Sequence, residues 1–235
     1  MEIEVSKFFL EIDQHLRTKN RFSLPENCEF RVNAFCKFYI NNLTELKAGT
    51  EYFRARIWGV SQTRSFPHTE MGAPPAHLVG SGRINPEGIP HLYGASNFQS
   101  AVSEVRPWVG AHISVARFRA LKKLKLVDLT KRPNMSFNSR DHKEQEIITG
   151  LQLVINTNFI NQLFFAAPAH EHDNLSYITS QFIAERFKSL GADGILYPSV
   201  LSDEGLNICI FEPSNAEIQN GVEKVTVHKV TIEAS

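Results

Sequence analysis

The chain has 235 residues, 42% of them hydrophobic, and 25 basic side chains set against 25 acidic ones. A formal net charge of zero weighs against a strongly basic nucleic-acid surface, and no direct nucleic-acid binding is expected. No apolar run reaches membrane-spanning length, which weighs against an integral membrane protein. The start Met1-Glu2-Ile3-Glu4 lacks the basic and apolar regions of a signal peptide, and Cys28, Cys36 and Cys209 have no CxxC spacing. Both features predict a cytoplasmic protein with reduced, structural thiols.

In chain order, residues 5–17 carry Phe8, Phe9, Ile12 and Leu16 at helical spacing. Phe30 to Leu46 contains a second helix that includes Phe35, Phe38, Tyr39 and Leu43. These two segments predict an N-terminal helical extension over residues 1–50 and a main domain over 51–235. Glu51 to Trp58 reads as the first strand, with Arg54 and Arg56 on one face. Gln62 to Gly82 is rich in Pro, Gly, Ser and Thr and reads as a long loop near a site. Arg83 follows in a Gly/Asn/Pro-rich turn, and Tyr93 lies on a short apolar strand. Ser96 and Gln99 have capping-box spacing, so a helix is expected from Asn97, limited by Pro107. Downstream, Ala111–Phe118 and Leu124–Leu129 read as strands, and Asp141–Ile155 and Ser176–Leu190 as helices. Gly191 suits a C-terminal cap. Ile195–Tyr197 and Asn207–Phe211 read as strands flanking the loop Pro198–Gly205, and the alternating tail Val222–Ile232 as a last strand. Interspersed elements without regular βαβ periodicity predict an α+β fold.

The strand–helix unit around Tyr93 and Glu104 brings a cation, an aromatic face and a carboxylate toward one cleft. That set suits a substrate with phosphates, a ring and a bond that breaks toward a cation. Glu104 falls in the last turn of its helix, the negative end of the dipole, where an acid gains nothing from the helix. The other reading of Glu104 is a solvated surface acid beside Arg106. Arg54 and Arg56 would then be solvated strand residues, and Tyr93 a core tyrosine. No metal site is expected: His170-Glu171-His172-Asp173 is a loop run without HExxH spacing. Gly80-Ser81-Gly82 is not a dinucleotide fingerprint, and Ser199 is not in a GxSxG elbow.

Several segments together carry a family resemblance. They are Tyr52-Phe53-Arg54-Ala55-Arg56, Gly82-Arg83-Ile84-Asn85-Pro86-Glu87-Gly88, and Leu92-Tyr93 followed by Ala101 to Glu104. Gly194-Ile195-Leu196-Tyr197-Pro198-Ser199 and Asn207-Ile208-Cys209-Ile210-Phe211 complete the set, over about residues 51–213. In order and combination they resemble the RES-domain family, named for an Arg, a Glu and a Ser. The common family form has a Trp where this chain has Ile84. The resemblance implies an ADP-ribosyltransferase-like mixed sheet core with flanking helices, and a toxin that consumes NAD. It also implies an Xre-like antitoxin acting in trans, expected to cover a mouth formed by 62–82 and 198–205.

In such an enzyme NAD is a substrate, with no cofactor and with inorganic phosphate as a possible co-substrate. The nicotinamide leaves neutral and needs no general acid, so one carboxylate suffices, unlike the pair of an ordinary glycosidase. The resemblance implies Glu104, Arg83 and Tyr93 as catalytic residues and Arg54, Arg56, Ser199 and Asn207 as substrate-binding residues. Guanidinium forks of Arg83 and Arg54 match the pyrophosphate oxygens. Gln181 and Asn207 are candidates for polar support or for plain structural hydrogen bonding. The expected activity is hydrolysis or phosphorolysis of the nicotinamide–ribose bond. Transfer of ADP-ribose to a protein, and a non-catalytic binding or interaction module, stand as alternatives.

Overall fold

The structure is a computed structural model that describes residues 2–131, 177–202 and 205–231. The expected helix over 141–155 and the His170–Asp173 run lie outside the described residues, as do residues 203 and 204. The first elements are α1 (Glu2–Thr18), α2 (Glu26–Asn41), β1 (Thr44–Leu46), β2 (Glu51–Ile57), β3 (Leu92–Ala95) and α3 (Phe98–Glu104). Then come β4 (His112–Ala120), β5 (Leu124–Asp128), α4 (Ile178–Ser189), β6 (Gly194–Pro198), β7 (Leu206–Ile210), β8 (Ala216–Ile218) and β9 (Glu223–Thr226). No described helix is long and apolar enough to cross a membrane.

The chain falls into two compact units, each drawn from several stretches of the sequence. Met1–Thr44 groups with Val79–Ile89 and Val127–Ala192; Glu45–Leu78, Pro90–Leu126 and Asp193–Ser235 form the other. In the first unit, α1 and α2 both pack on α4. The apolar stripe of α1 supplies Phe8, Ile12 and Leu16, all buried. Phe35 and Tyr39 of α2 meet Phe187 of α4 at ring-centroid distances of 5.8 and 6.1 Å. Glu29 in the first turn of α2 pairs with Arg186 at 2.6 Å. Gly191 ends α4 as expected, at φ 93°. Its N–H donates to Lys188 O (3.0 Å) and that of Ala192 to Phe187 O (3.1 Å), the two bonds of a Schellman cap.

The second unit is built on a sheet of strand order β1-β5-β6-β7-β3-β2-β4-β8, with β9 also on β4. The pairs β2/β4, β3/β7 and β6/β7 run antiparallel, from Glu51↔Arg119 to Ile57↔Ile113, Leu92↔Ile210 to Ala95↔Asn207, and Gly194↔Ile210 to Pro198↔Leu206. Between β2 and β3 the register rests on one pair, Phe53↔Ala95. Tyr52, Leu92, Phe118, Leu126, Ile208 and Ile210 belong to one buried cluster. Val102 of α3 packs with Ile113 and Val115, against Phe53, Ala55 and Ile57 from alternate positions of β2. With helices and a multi-stranded sheet interspersed along the chain, the fold is α+β.

Three local expectations are corrected. The cap of α3 is Asn97, whose Oδ1 accepts from Ser100 N at 2.8 Å. Ser96 pairs instead with β7: its N–H donates to Leu206 O (2.7 Å) and its Oγ accepts from Leu206 N (3.0 Å). A sheet ladder took the hydroxyl that the spacing offered to the helix. Thr44–Leu46, read as part of a segment holding a helix, is a strand, and among the described residues of the tail the strand covers Glu223–Thr226. The 62–82 loop contains two short 3₁₀ turns, His68–Glu70 and Ala76–Leu78.

Candidate active site

Helix α3 is only seven residues long, and Glu104 is its last residue. The backbone then turns sharply: Val105 is the C-cap, and Arg106 adopts φ 48°, a left-handed conformation unusual for a residue with a side chain. Pro107 follows, which favours this break over continued helix. Glu104 is exposed at the negative end of its helix, so other groups must hold its charge.

Two donors do so. Ser199 Oγ donates to Glu104 Oε1 at 2.6 Å, and Asn207 Nδ2 donates to the same oxygen at 2.8 Å. Oε2 has no hydrogen-bond partner among the described residues. Asn207 is buried and fixed in β7 by its register partners Ala95 and Tyr197. Its Oδ1 is buried without a hydrogen bond, so the amide is committed to Glu104 through one edge alone. Ser199 is set by its loop. Its N–H donates to Gly205 O at 2.7 Å, and its Oγ also accepts from Leu201 N at 3.2 Å.

That loop rests on the first turn of α3. Ser100 Oγ donates to Ser202 Oγ at 2.9 Å. Gly205 lies so close that a Cβ there would come within 2.1 Å of Ser100 Oγ. Only glycine fits this approach. Ser100, Ser202 and Gly205 carry no sequence signal for these roles, because the contact joins segments about a hundred residues apart.

Arg54 lies where β2 and β3 share their single register pair. Its Nη1 donates to Tyr93 O at 2.9 Å, while Nε is buried with no hydrogen bond. Burial, and then the neighbouring Arg56 cation, lower Arg54 from its ordinary value to about 10, so it is still charged at neutral pH. No carboxylate pairs with it among the described residues. A half-buried cation without a counter-ion among the described residues leaves donor capacity that an anionic group could use. The reading of Arg54 as a solvated strand arginine therefore fails. Arg56 is engaged elsewhere: its Nη1 donates to Glu70 O, and its guanidinium stacks 4.2 Å above Phe66. Tyr93 is half-buried and pairs in register with Cys209. Cys209 Sγ in turn lies 3.7 Å from His91 Nδ1, both buried, a contact that no spacing in the sequence records.

The structure thus joins Glu104, Ser199 and Asn207 by direct hydrogen bonds, and links Arg54 to Tyr93. All of these, with Arg56, belong to the second unit; Arg83 belongs to the first. Arg83 sits 5.6 Å over the Tyr177 ring, on a turn held by Gln181. Ile84, at the position of the family's Trp, is fully buried and offers no stacking surface. Glu87 is exposed, as a turn acid should be.

The chain belongs to the RES-domain family: the family model, described as RES domain, matches residues 56–229. The match begins two residues after Arg54 and extends past the motif span, into β9 and beyond. No curated protein matches the chain. Among solved structures, the chain is similar to one in the crystal structure of the M. tuberculosis MbcT–MbcA toxin–antitoxin complex. Identity is 12%, coverage is 82% of this chain and 92% of that chain, and the TM-score is 0.41.

Proposed function

We propose that this protein is a RES-type enzyme that cleaves NAD at the bond between nicotinamide and ribose. The observation that carries the reading is the grip of Ser199 and Asn207 on Glu104 Oε1. It fixes a carboxylate at a helix end that does not stabilise it, and leaves Oε2 for the substrate. In the reaction the C1′–N bond breaks and its electron pair goes to the pyridinium nitrogen, so nicotinamide departs neutral. Positive charge builds on the ribose. Glu104 stabilises that charge or holds a ribose hydroxyl, an electrostatic contribution prepared before the bond breaks. Water or a phosphate oxygen then bonds to C1′; attack by water ends with loss of one proton.

Arg54 binds the pyrophosphate in this reading, which supplies the anion that its half-buried guanidinium lacks. Arg83 does the same from its turn, and Tyr93 packs against the nicotinamide or a ribose hydroxyl. Arg56 is a secondary contact, since Glu70 and Phe66 already occupy it. In a cell such an activity makes the chain a cytoplasmic toxin, restrained in trans by an Xre-like antitoxin.

The test is mass spectrometry of NAD incubated with the purified protein, with and without inorganic phosphate. Free nicotinamide with ADP-ribose supports hydrolysis, and with ADP-ribose phosphate supports phosphorolysis. A labelled acceptor protein would replace this reading with ADP-ribosyl transfer. Binding without turnover would replace it with a non-catalytic module.

A further inference from the structure

The turn that carries Arg83 is held by side chains of α4, within the first unit. Ser180 Oγ lies 2.6 Å from Arg83 O and 3.0 Å from Tyr177 O, two acceptors that share its one proton. Gln181 Nε2 donates to Gly82 O (2.7 Å), Ser81 Oγ (2.8 Å) and Asn85 O (3.1 Å). An amide nitrogen carries two protons, so these three acceptors share them. From inside the turn, Asn85 Nδ2 donates to Gly80 O and Pro86 O, both at 3.0 Å. The carbonyls of residues 80, 82, 83, 85 and 86 are therefore all met by side-chain donors. Ser180 and Asn85 are buried, and Gln181 is only 9% exposed.

Packing alone does not explain this clamp. Pro86 and Ile89 of the same segment line an open cavity of about 740 Å³, together with Gln181, Ile178, Phe182 and Phe22. On that side the turn has space beside it, so hydrogen bonds fix its path there, while Ile84 of the same turn is held by burial. A turn rich in Gly, Asn and Pro could satisfy its carbonyls with water. Here a helix supplies the donors instead, and the turn's one cation sits over Tyr177 at the start of that helix.

We propose that Gln181 and Ser180 are positioning residues for Arg83: they set the direction in which its guanidinium meets the diphosphate of the substrate. The inference rests on the reading of NAD as that substrate. It adds α4 to the machinery without placing either residue in contact with the reacting atoms.

The test uses Gln181→Met, which keeps length and loses both donor hydrogens, and Ser180→Ala, a milder variant should the first fail to fold. Three readouts are taken on the full chain. Hydrogen exchange of the amides over 82–88 should quicken while α4 amides stay protected. The Kd for inorganic pyrophosphate should weaken about tenfold, the scale of one charge-assisted hydrogen bond. The KM for NAD should rise by a similar factor with kcat within about twofold, because the contact serves ground state and transition state alike. In an Arg83→Lys background, Gln181→Met should add less than about twofold, since both changes act on one contact. Unchanged exchange over 82–88 overturns the proposal. So do faster exchange with unchanged pyrophosphate affinity, no pyrophosphate binding by the wild type, and full multiplicative losses in the double variant. A wild type that binds pyrophosphate in a manner dependent on Arg83 and Gln181, yet releases no nicotinamide, refutes the cleavage reading and leaves the positioning role standing.

Discussion

Gly205→Ala tests the link between the 199–205 loop and Glu104 without touching a charged group. The new Cβ would lie 2.1 Å from Ser100 Oγ, 2.7 Å from Ser100 Cβ and 3.1 Å from Ser202 Oγ. Ordinary contact begins near 3.4 Å, so the loop or the first turn of α3 must move by about 1 Å. Ser100 is fully buried in α3 and cannot rotate away into solvent, so the loop is the part that gives. Overpacking of this kind costs about 1–3 kcal/mol. For a chain of this size about 2 kcal/mol corresponds to a Tm lower by roughly 4–8 °C. The displaced loop carries Ser199, whose 2.6 Å bond to Glu104 is too short to survive such a shift. A hydrogen bond to a charged group contributes about 1.5–3 kcal/mol, so turnover of NAD should fall roughly ten- to hundredfold. Ser100→Gly, which removes both clashing atoms, should restore much of the turnover in the double variant. Tm is read by calorimetry and turnover by nicotinamide release. A Gly205→Ala protein with unchanged Tm and unchanged turnover would refute the claim that this loop is seated on α3 and holds Ser199.

Two further outcomes follow from the same geometry. Arg54→Lys keeps the charge but loses the planar fork, so NAD affinity should drop about tenfold or more, the loss of one or two charge-assisted hydrogen bonds. Calorimetry in a Glu104→Gln background, where substrate persists, reads this directly, and equal affinity would return Arg54 to a structural role. Burial pushes the Cys36 thiol from 9.0 up to about 12, so its thiolate forms in the unfolded chain well before it forms in the fold. Stability should therefore be intact below pH 9 and fall as pH rises from 9 toward 12. Cys36→Ala should flatten that fall in urea titrations, and an identical slope would show that the thiol is not its source.

The parts of the fold legible in the sequence are those fixed by local chemistry. The apolar spacing of residues 5–17, the β-rich run 51–58 and Gly191 after a helical stretch each settle their own conformation through nearby residues. Glu104 reads as the last turn of α3 because Pro107 bounds the helix from outside. What local chemistry could not supply is partnership across the chain. Ser96 reads as a cap until β7 takes it, and the cap passes to Asn97. The Ser199–Glu104 and Asn207–Glu104 bonds join residues 95 and 103 positions apart. Their partnership depends on how β7 and its preceding loop pack beside α3, which no spacing rule records. Gln181 was legible as a polar residue in a helix, but its three acceptors lie about a hundred residues upstream. The packing of α1 and α2 on α4 is likewise a partnership across the chain that motif content does not record.

The central claim is that the charge on Glu104, held by Ser199 and Asn207, drives cleavage of the nicotinamide–ribose bond. Glu104→Gln removes that charge and keeps an oxygen for both donors, so the fold should retain its Tm. The most direct measurement is the rate of nicotinamide release from NAD by purified wild type and Glu104→Gln under identical conditions. Steady release is expected from the wild type and a rate lower by about a hundredfold or more from the variant, the scale of losing one preorganised electrostatic group. Equal rates in the two proteins, or no release by a folded wild type, would contradict it.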